Sequence, residues 1–348
     1  MTAMVMHELG GPVKLEERDV PKPGHGEALI DVKATGVGLT VVIMMANPDL
    51  VTSLPRVIGH EVAGVVAEVG PGVHNVKAGD RVTMHFYLTC GACSFCRSGK
   101  ETLCENFRGF VGMACDGGYA EYMTIEAKNL CRIPDEVSFE DACIVADAVC
   151  TPYHACTREA KVKPGDNVLV IGAGGGVGIH MVQMANIMGA RVLAADVTDE
   201  KLNLAKEWGA QELINPKKVD MAEEVLRVTD GKGANSIIDI VASKETLEGS
   251  MKSLAKMGKL VVIGFRPPVV FKADPSFVVD PLTLLVNGYE IHASKYVNLT
   301  EIKTTLETVR QGKVKPVITQ RFPLEEAEKV HQLLRENKVA GRAVLLQE

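Results

Sequence analysis

The chain has 348 residues, of which 46% are hydrophobic and 24% charged, and its formal net charge is −6 at pH 7. This length suits about two domains, and the composition is that of a globular protein rather than a disordered one. The acidic balance, without a run of clustered Lys and Arg, argues against a nucleic-acid partner. No apolar run approaches the roughly 18 residues of a membrane span, and no signal peptide is visible. We therefore expect no membrane partner and a cytoplasmic location.

The first 150 residues are rich in Gly and Pro. Short apolar runs such as Glu27–Val32 and Glu61–Val69 are bounded by turn signals such as Pro71-Gly72. Short strands at this spacing are typical of an irregular β-rich domain, which we place at residues 1–150.

Within this region lies a cluster of four cysteines, Cys90-x2-Cys93-x2-Cys96-x7-Cys104. Two-residue spacers let a tight loop turn successive thiolates toward one point, and four sulfurs at about 2.3 Å complete a tetrahedral zinc shell. Such a shell leaves no open position, so the pattern predicts a structural zinc in a lobe at about residues 88–108. An iron–sulfur cluster uses similar ligands and is the main rival, and unrelated free thiols are the remaining alternative.

From Gly165 the pattern changes, because strands now alternate with helices. The predicted strands are Asn167–Ile171, Arg191–Ala195, Ser236–Val241 and Lys259–Gly264, and the predicted helices run to Met188, over Glu200–Trp208, over Met221–Val228 and over Lys244–Met257. This alternation predicts a doubly wound parallel sheet of the Rossmann type, an α/β fold, over residues 151–291. The remaining residues, 292–348, are expected to return to the first domain, with Ala343–Leu346 as a strand.

A glycine-rich turn follows the first of these strands. It contains Gly172, Gly174, Gly175, Gly176, Val177 and Gly178. Glycines let backbone N–H groups approach a pyrophosphate, which the following helix N-terminus attracts. Asp196 ends the next strand, where a carboxylate accepts both ribose hydroxyls and repels a 2′-phosphate, so NAD is favoured over NADP. The alternative is a glycine-rich turn beside a solvated aspartate.

Three further motifs occur along the chain together with the cysteine lobe and the glycine loop. They are Pro55-x2-Ile58-Gly59-His60-Glu61-x2-Gly64, Gly79-Asp80-Arg81-Val82 and Gly117-Gly118-Tyr119-Ala120-Glu121-Tyr122. Together with the cysteine lobe and the glycine loop, they resemble the zinc-containing alcohol dehydrogenases of the medium-chain dehydrogenase/reductase superfamily over nearly the whole chain. The resemblance implies that the β-rich part is a GroES-like catalytic domain, that an NAD-binding domain is inserted into it, and that the chain forms a homodimer or homotetramer.

The resemblance also implies roles for individual residues. His60, Glu61 and Asp147 correspond to ligands of a catalytic zinc, and Thr40 to the hydroxyl that relays the alcohol proton. Residues expected to contact the cofactor are Thr151 near the nicotinamide, Asp196 and Lys201 at the adenosine ribose, Ile263, and Arg342 near the pyrophosphate.

The sequence departs from the family at the first catalytic zinc ligand, a cysteine in the family and Gly38 here; Ile43 replaces a histidine of the proton relay. Three hypotheses about the catalytic metal follow. Zinc could bind through His60, Glu61 and Asp147 alone. Cys150 could supply a thiolate instead. Alternatively the site lacks metal, and Thr40, His60 or another group polarises the substrate directly.

The activity that the resemblance implies is NAD-dependent oxidation of a primary or secondary alcohol, cyclic alcohols included, to an aldehyde or ketone. Gly38 favours an alternative, a zinc-independent NAD(P)H reductase of activated double bonds such as enones or quinones. A third hypothesis, from another class, is an NAD-binding sensor without catalysis. The expected partner in the first two cases is a small alcohol or carbonyl substrate.

Overall fold

The computed structural model describes residues 1–271 and 276–347, which form two compact units. The first unit comprises Met1–Cys150 together with the chain from Val297 onward, and the second comprises Thr151–Tyr296. The sequence predicts the return at residue 292, but the structure places it five residues later. The reason is that residues up to Ala293 still pair with a strand of the second unit.

The first unit begins with short strands separated by turns. In chain order these strands are β1 (Thr2–Met6), β2 (Val13–Glu17), β3 (Glu27–Val37), β4 (Arg56–Val57), β5 (Glu61–Val69), β6 (Arg81–Met84), β7 (Tyr122–Glu126) and β8 (Leu130–Arg132). The helices of this stretch are α1 (Leu39–Met45), α2 (Ser94–Arg97) and α3 (Phe139–Ile144). A π-helical turn, Val145–Val149, leads from α3 into α4 (Cys150–His154), which begins at the last residue of this stretch and continues into the second unit.

The second unit alternates strands with helices. Its strands are β9 (Asn167–Ile171), β10 (Arg191–Ala195), β11 (Glu212–Ile214), β12 (Ala234–Asp239), β13 (Leu254–Val262) and β14 (Glu290–Ala293). Its helices are α5 (Gly176–Ile187), α6 (Asp199–Glu207), α7 (Met221–Val228), α8 (Lys244–Ser253), α9 (Pro268–Phe271) and α10 (Pro281–Asn287).

These six strands form one parallel sheet in the order β11-β10-β9-β12-β13-β14. The predicted doubly wound sheet is therefore confirmed. The strand order reverses at β9, whose neighbours are β10 on one side and β12 on the other. In such sheets, ligands bind in the crevice at the carboxyl ends of the strands beside the reversal. The glycine-rich turn follows β9 and therefore lies at this crevice.

Local sequence explains why these elements begin where they do. In β9, Val168–Ile171 form a continuous apolar run that is buried throughout, as expected for a parallel strand covered on both faces. Helix α6 begins after Thr198, whose hydroxyl accepts a hydrogen bond from the backbone N–H of Lys201. Helix α8 begins with a capping box in which Ser243 and Thr246 satisfy each other's backbone N–H groups.

The chain then completes the first unit with α11 (Leu299–Arg310), β15 (Ile318–Pro323), α12 (Ala327–Arg335) and β16 (Arg342–Leu346). Strand β16 pairs antiparallel with β3, opposing Ala343 to Val37, so the expected C-terminal return strand is confirmed. It thereby joins a sheet of order β15-β16-β3-β5-β6-β8, in which β7 also pairs with β3. A smaller antiparallel sheet has the order β2-β1-β4.

Each unit has an apolar core of its own. In the first, side chains of β1, α1 and the C-terminal segment pack around buried residues such as Met6, Met45 and Tyr119. In the second, the core lies on the parallel sheet around Leu169, Leu193 and Leu260. Among the described residues, none of the helices is long and apolar enough to cross a membrane.

Candidate active site and cysteine lobe

Four side chains from three segments of the chain meet in the interior of the first unit. Glu61 begins β5 and His60 directly precedes it, Asp147 lies in the π-helical turn after α3, and Arg342 begins β16. His60 Nε2 lies 3.5 Å from Asp147 Oδ2 and 3.8 Å from Glu61 Oε1. The structure therefore brings the three predicted ligands together, and it adds an arginine to them.

This cluster, which we call the His60 site, is almost closed to solvent. The exposed fraction is 1% for His60, 0% for Glu61, 6% for Asp147 and 3% for Arg342. Neither ring nitrogen of His60 has a hydrogen-bond partner, although its ring packs on Phe86 at 4.5 Å between centroids. Buried polar atoms are normally satisfied, so an imidazole in this state marks a place where a ligand, a metal or strain has to be considered.

Arg342 engages the carboxylate of Glu61 with two of its nitrogens. Its Nε donates a hydrogen bond of 3.1 Å to Oε2, and its Nη2 contacts Oε1. The same Nη2 lies 3.8 Å from Asp147 Oδ2. Burial lowers the pKa of Arg342 to about 9, which still leaves the guanidinium charged at neutral pH. The site thus holds a fixed positive charge against Glu61.

Gly38 lies directly against this guanidinium. A Cβ added at position 38 would lie 2.5 Å from Nη2 of Arg342, and nearer still to Cζ and Nη1. Real Cβ atoms do not approach heavy atoms so closely, so any side chain at position 38 would displace the arginine. The space that the family's cysteine would use is therefore filled by Arg342.

Thr40, predicted as the proton relay, and Thr151, predicted as a cofactor contact, lie on α1 and α4. Thr40 is half-buried and is the second residue of α1, which begins right after Gly38. Thr151 is buried in α4, four residues after Asp147. The Cys150 thiol is 3.8 Å from the backbone oxygen of Asp147, whereas the ligand atoms of His60, Glu61 and Asp147 lie within 4.8 Å of one another.

The four cysteines of the predicted zinc lobe converge as their spacing requires. Their ligand sulfurs all lie within 4.8 Å of one another. Backbone N–H groups of Ala92 and Cys93 donate to the sulfur of Cys90, at 3.4 Å and 3.3 Å, and that of Cys90 donates to the sulfur of Cys104 at 3.3 Å. The hydrogen bond from the backbone N–H of Ala92, followed by that from Cys93, lowers the pKa of the Cys90 thiol to about 6.

These sulfurs fit a structural zinc. A thiolate is the form that binds metal, and backbone N–H groups aimed at sulfur stabilise that form. The lobe is also tied to the rest of its unit, because the carboxylate of Glu101 accepts a hydrogen bond of 2.8 Å from the backbone N–H of Leu299. Asn298, the N-cap of α11, donates to the backbone oxygen of Gly99.

The glycine-rich turn of the second unit is shaped by close approaches that only glycine permits. Gly172 has φ +83°, a backbone conformation that side chains disfavour. A Cβ at Gly174 would lie 2.6 Å from the backbone oxygen of Lys201, and one at Gly178 would overlap Gly172. Gly175 is the N-cap of α5, and Gly176 and Val177 form its first turn. Unpaired N–H groups at such a helix start suit a phosphate.

Asp196 follows β10 and faces this turn. Its Oδ2 accepts a hydrogen bond of 3.0 Å from the backbone N–H of Gly174, and the residue is only 7% exposed. Lys201 is also buried, and burial lowers its pKa while Asp196 opposes that shift. Ile263 donates its backbone N–H to the backbone oxygen of Asp239 at the end of β12. The structure thus gathers Gly174, Asp196 and Lys201 at one edge of the sheet.

Comparison with known proteins gives the family. Residues 24–135 match the Alcohol dehydrogenase GroES-like domain, and residues 176–311 match the Zinc-binding dehydrogenase family. An alcohol dehydrogenase of Geobacillus stearothermophilus is 36% identical over 99% of both chains. An NAD-dependent alcohol dehydrogenase of Sulfurisphaera tokodaii is also 36% identical, over 99% of this chain and 100% of its own. The chain belongs to the zinc-binding alcohol dehydrogenase family.

A solved structure agrees with this assignment. The alcohol dehydrogenase of the archaeon Aeropyrum pernix superimposes with a TM-score of 0.90 at 30% identity, and the match covers 100% of both chains. The family is a branch of the medium-chain dehydrogenase/reductase superfamily, so the resemblance read from the motifs is confirmed. The GroES-like and Rossmann parts of the predicted fold are confirmed with it.

Within this family member, the His60 site fits a second, catalytic zinc poorly. His60, Glu61 and Asp147 offer ligand atoms within 4.8 Å of one another, but the expected thiolate is missing and Glu61 is already paired with Arg342. The carboxylates of Glu61 and Asp147 would attract a divalent ion, but a guanidinium about 4 Å away would oppose them with roughly 8 kcal/mol of repulsion at an effective dielectric constant of about 20. The catalytic roles assigned from the family to these three residues therefore remain predictions.

Arg342 was predicted as a cofactor contact, and its pairing with Glu61 was missed. The two residues are 281 positions apart, and no local pattern links them. The available signal was Gly38, because the loss of a ligand leaves a volume that another side chain has to fill. The prediction that Arg342 lies near the pyrophosphate stays a prediction.

Proposed function

We propose that the chain is an NAD-dependent alcohol dehydrogenase that oxidises a primary or secondary alcohol, cyclic alcohols included, to an aldehyde or ketone. The observation that carries this proposal is the glycine turn after β9 with the carboxylate of Asp196 beside it. The names of full-length relatives, among them an NAD-dependent alcohol dehydrogenase at 36% identity, support the same activity.

In this proposal the second unit holds NAD, which when bound would supply the acceptor for the substrate's hydride. Backbone N–H groups at the start of α5 would hold the pyrophosphate, and the carboxylate of Asp196 would accept hydrogen bonds from the ribose hydroxyls. That carboxylate would also repel a 2′-phosphate, which favours NAD over NADP. The full set of proposed cofactor contacts is Thr151, Gly172, Gly174, Gly175, Gly176, Val177, Gly178, Asp196, Lys201, Ile263 and Arg342.

In the first unit, the chain's own groups handle the substrate hydroxyl. We assign to Thr40 the first acceptance of the alcohol proton, because a hydroxyl at the start of a helix can accept one proton while donating another. His60 and Asp147 of the same unit offer further positions for that proton. Hydroxyl deprotonation leaves negative charge on the substrate oxygen, and a nearby cation lowers the energy of that state.

A second candidate function is an NAD(P)H-dependent reductase of activated double bonds. Gly38 favours it, because an enone or quinone is already polarised and needs no Lewis acid ligated by a thiolate. Both candidates differ from the third hypothesis, an NAD-binding sensor, in requiring turnover.

One pair of assays separates the three. Purified protein is given NAD with a panel of saturated alcohols, and NADH with a panel of enones and quinones, while NADH absorbance is followed. Turnover with alcohols supports the dehydrogenase, and turnover confined to enones replaces it with the reductase. Tight NADH binding with no turnover on either panel would leave the sensor hypothesis.

The cofactor site is tested with Asp196→Asn. Loss of a charged acceptor of ribose hydroxyls should weaken NAD binding about tenfold to hundredfold and reduce the preference over NADP. The matched control is Asp199→Asn, since Asp199 is an exposed carboxylate three residues away that pairs with Lys218. Unchanged NAD affinity in the Asp196 variant, measured by NADH fluorescence titration, would contradict the proposed site.

We also propose that two copies of the chain associate through the second unit. Strand β14 is an edge of its sheet, and Ile291 on it is 41% exposed. The neighbouring helix along the chain, α10, exposes Leu282, Leu285 and Val286 to 65%, 80% and 66%. An unpaired edge strand with exposed apolar side chains is a surface that a second copy can cover.

Light scattering tests this association. Leu285→Glu should shift the protein toward monomer, whereas Leu15→Glu should not, because Leu15 is comparably apolar and 52% exposed but lies on β2 of the first unit. An unchanged mass in the Leu285 variant would remove this surface from consideration. The cytoplasm is the proposed location, because reducing conditions keep the four thiols of the lobe available for zinc.

A further inference from the structure

The starting observation is the fit between Gly38 and Arg342. Position 38 has extended backbone, with φ −130° and ψ 168°, so glycine is not required there by backbone conformation. A Cβ there would overlap the guanidinium of Arg342, so a side chain at position 38 and the observed position of the arginine exclude each other. The absence of a side chain at position 38 and the presence of the arginine are therefore two parts of one arrangement.

The second observation is the charge that this arrangement places in the His60 site. Two carboxylates, those of Glu61 and Asp147, lie in a volume nearly closed to solvent. Buried carboxylates need a cation or several hydrogen-bond donors nearby. Arg342 supplies both, through its contacts to Glu61 and its approach to Asp147.

We infer that Arg342 replaces the catalytic metal as the fixed cation of the His60 site, and that this site holds no divalent ion. The guanidinium takes the volume of the missing thiolate, occupies Glu61 as a partner and adds a positive charge where an incoming ion would have to lie. His60 and Asp147 then remain as two donors, which is fewer than the three protein ligands that catalytic zinc sites use. The zinc of this chain belongs to the cysteine lobe alone.

The inference concerns the site used in the proposed function, but its test reads metal content and not activity. The wild-type protein and His60→Leu are each incubated with excess zinc, desalted and analysed for zinc per chain. We expect about one zinc per chain in both proteins, held by the cysteine lobe. About two in the wild type, falling to about one in His60→Leu, would overturn the inference.

A second set of variants tests the cause. In Gly38→Cys combined with Arg342→Gln, the thiolate returns and the guanidinium is gone, so the zinc content should rise about twofold. Adding His60→Leu to this pair should return the content to about one. Arg342→Lys serves as the control that keeps a cation, and it should stay at about one zinc.

Folding is checked on the same samples by NADH binding, which depends on the second unit, and by circular dichroism of the whole chain. A folded double variant that stays at one zinc would show that Arg342 does not exclude the metal, and it would overturn the inference. If the double variant does not fold, the zinc contents of the wild type and His60→Leu still decide whether the His60 site binds a metal.

The outcomes are separable from those of the proposed function. One zinc per chain without alcohol turnover leaves the inference standing and removes the dehydrogenase. Two zincs with alcohol turnover keep the dehydrogenase and overturn the inference.

Discussion

The first unit contains two clusters of metal-binding residue types, and they differ in how they are built. The ligands of the cysteine lobe fall within residues 90–104, remain partly exposed apart from Cys104, and receive hydrogen bonds from their own loop backbone. The residues of the His60 site come from positions 60, 61, 147 and 342 and are buried. The first cluster has four converging sulfurs, whereas the second already contains its own cation.

This difference shows that a chain can keep a family's local motif, here the cysteine lobe, and still depart from the family at a site assembled from distant residues. The lobe depends on a short segment, so it survives changes elsewhere in the chain. The His60 site depends on three separate segments, residues 60–61, 147 and 342, and its guanidinium lies against Gly38, where the family has a cysteine. Family membership therefore predicts the lobe better than it predicts the site.

The largest effect is expected at the lobe. Cys104→Ser removes the most buried of the four ligands, and the lobe should lose its zinc and its order, because structural zinc contributes directly to folding. Elemental analysis should fall from about one zinc per chain toward zero, with a clear drop in melting temperature. Cys115→Ser, outside the cluster, should keep its zinc. Retention of zinc in Cys104→Ser, or iron in place of zinc, would contradict the assignment.

The next effect is at the Arg342–Glu61 pair. Arg342→Gln or Glu61→Gln alone leaves one buried charge without its partner, which should cost about 3–5 kcal/mol of the free energy of unfolding. The double variant should cost less than the sum of the two, which urea unfolding measures. Arg335→Gln, at an exposed pair with Glu328, should cost less than about 1 kcal/mol. Additive losses at the buried pair would mean that the two side chains do not interact.

A smaller effect is expected where the lobe meets α11. Glu101→Ala removes the acceptor for the N–H of Leu299, which should lower the free energy of unfolding by about 1 kcal/mol. Zinc content should not change, because no ligand is touched. The exposed Glu105→Ala is the control, with an expected change below about 0.5 kcal/mol. A loss of zinc in Glu101→Ala would show that docking and metal binding are coupled.

The smallest effect is expected at His60 itself. Its ring nitrogens make no hydrogen bonds, so His60→Leu should change the free energy of unfolding by less than about 1 kcal/mol. The comparison is His331→Leu, because His331 is equally buried but shares a hydrogen bond of 3.1 Å with the hydroxyl of Tyr119. This substitution should lower the free energy of unfolding by about 1–3 kcal/mol. A large loss of the free energy of unfolding in His60→Leu, together with a loss of zinc, would show that the His60 site also binds a metal that stabilises the fold.

The sequence predicted what local spacing determines. The cysteine spacing predicted the lobe, and the run from β9 into the glycine turn predicted the crevice. It was wrong where pairing overrides local preference: the helix predicted over Lys244–Met257 ends at Ser253, because Leu254 pairs with Ala234 as β13 begins. Met257 has φ +61°, which no helix accommodates. Strands β11 and β14, three and four residues long, were too short to predict.

The candidate site was predictable only in part, for the same reason. His60, Glu61 and Asp147 could be named from family position, and Gly38 could be seen as a missing ligand. That Arg342 fills the gap depends on the pairing of β16 with β3, which brings residue 343 beside residue 37. Contacts across such a separation arise from the fold and carry no local pattern.

The position of Arg342 on the last strand also sets when the site is complete during protein synthesis. Glu61 leaves the ribosome 281 residues before its partner, which is roughly 15–55 seconds at about 5–20 residues per second. Throughout that interval, burying Glu61 would leave its charge without a cation, so β5 cannot close over it at low cost. The order of translation thus leaves this interior without its cation until β16 arrives, and a chain that ends before residue 342 would have to bury Glu61 unpaired or leave it in water.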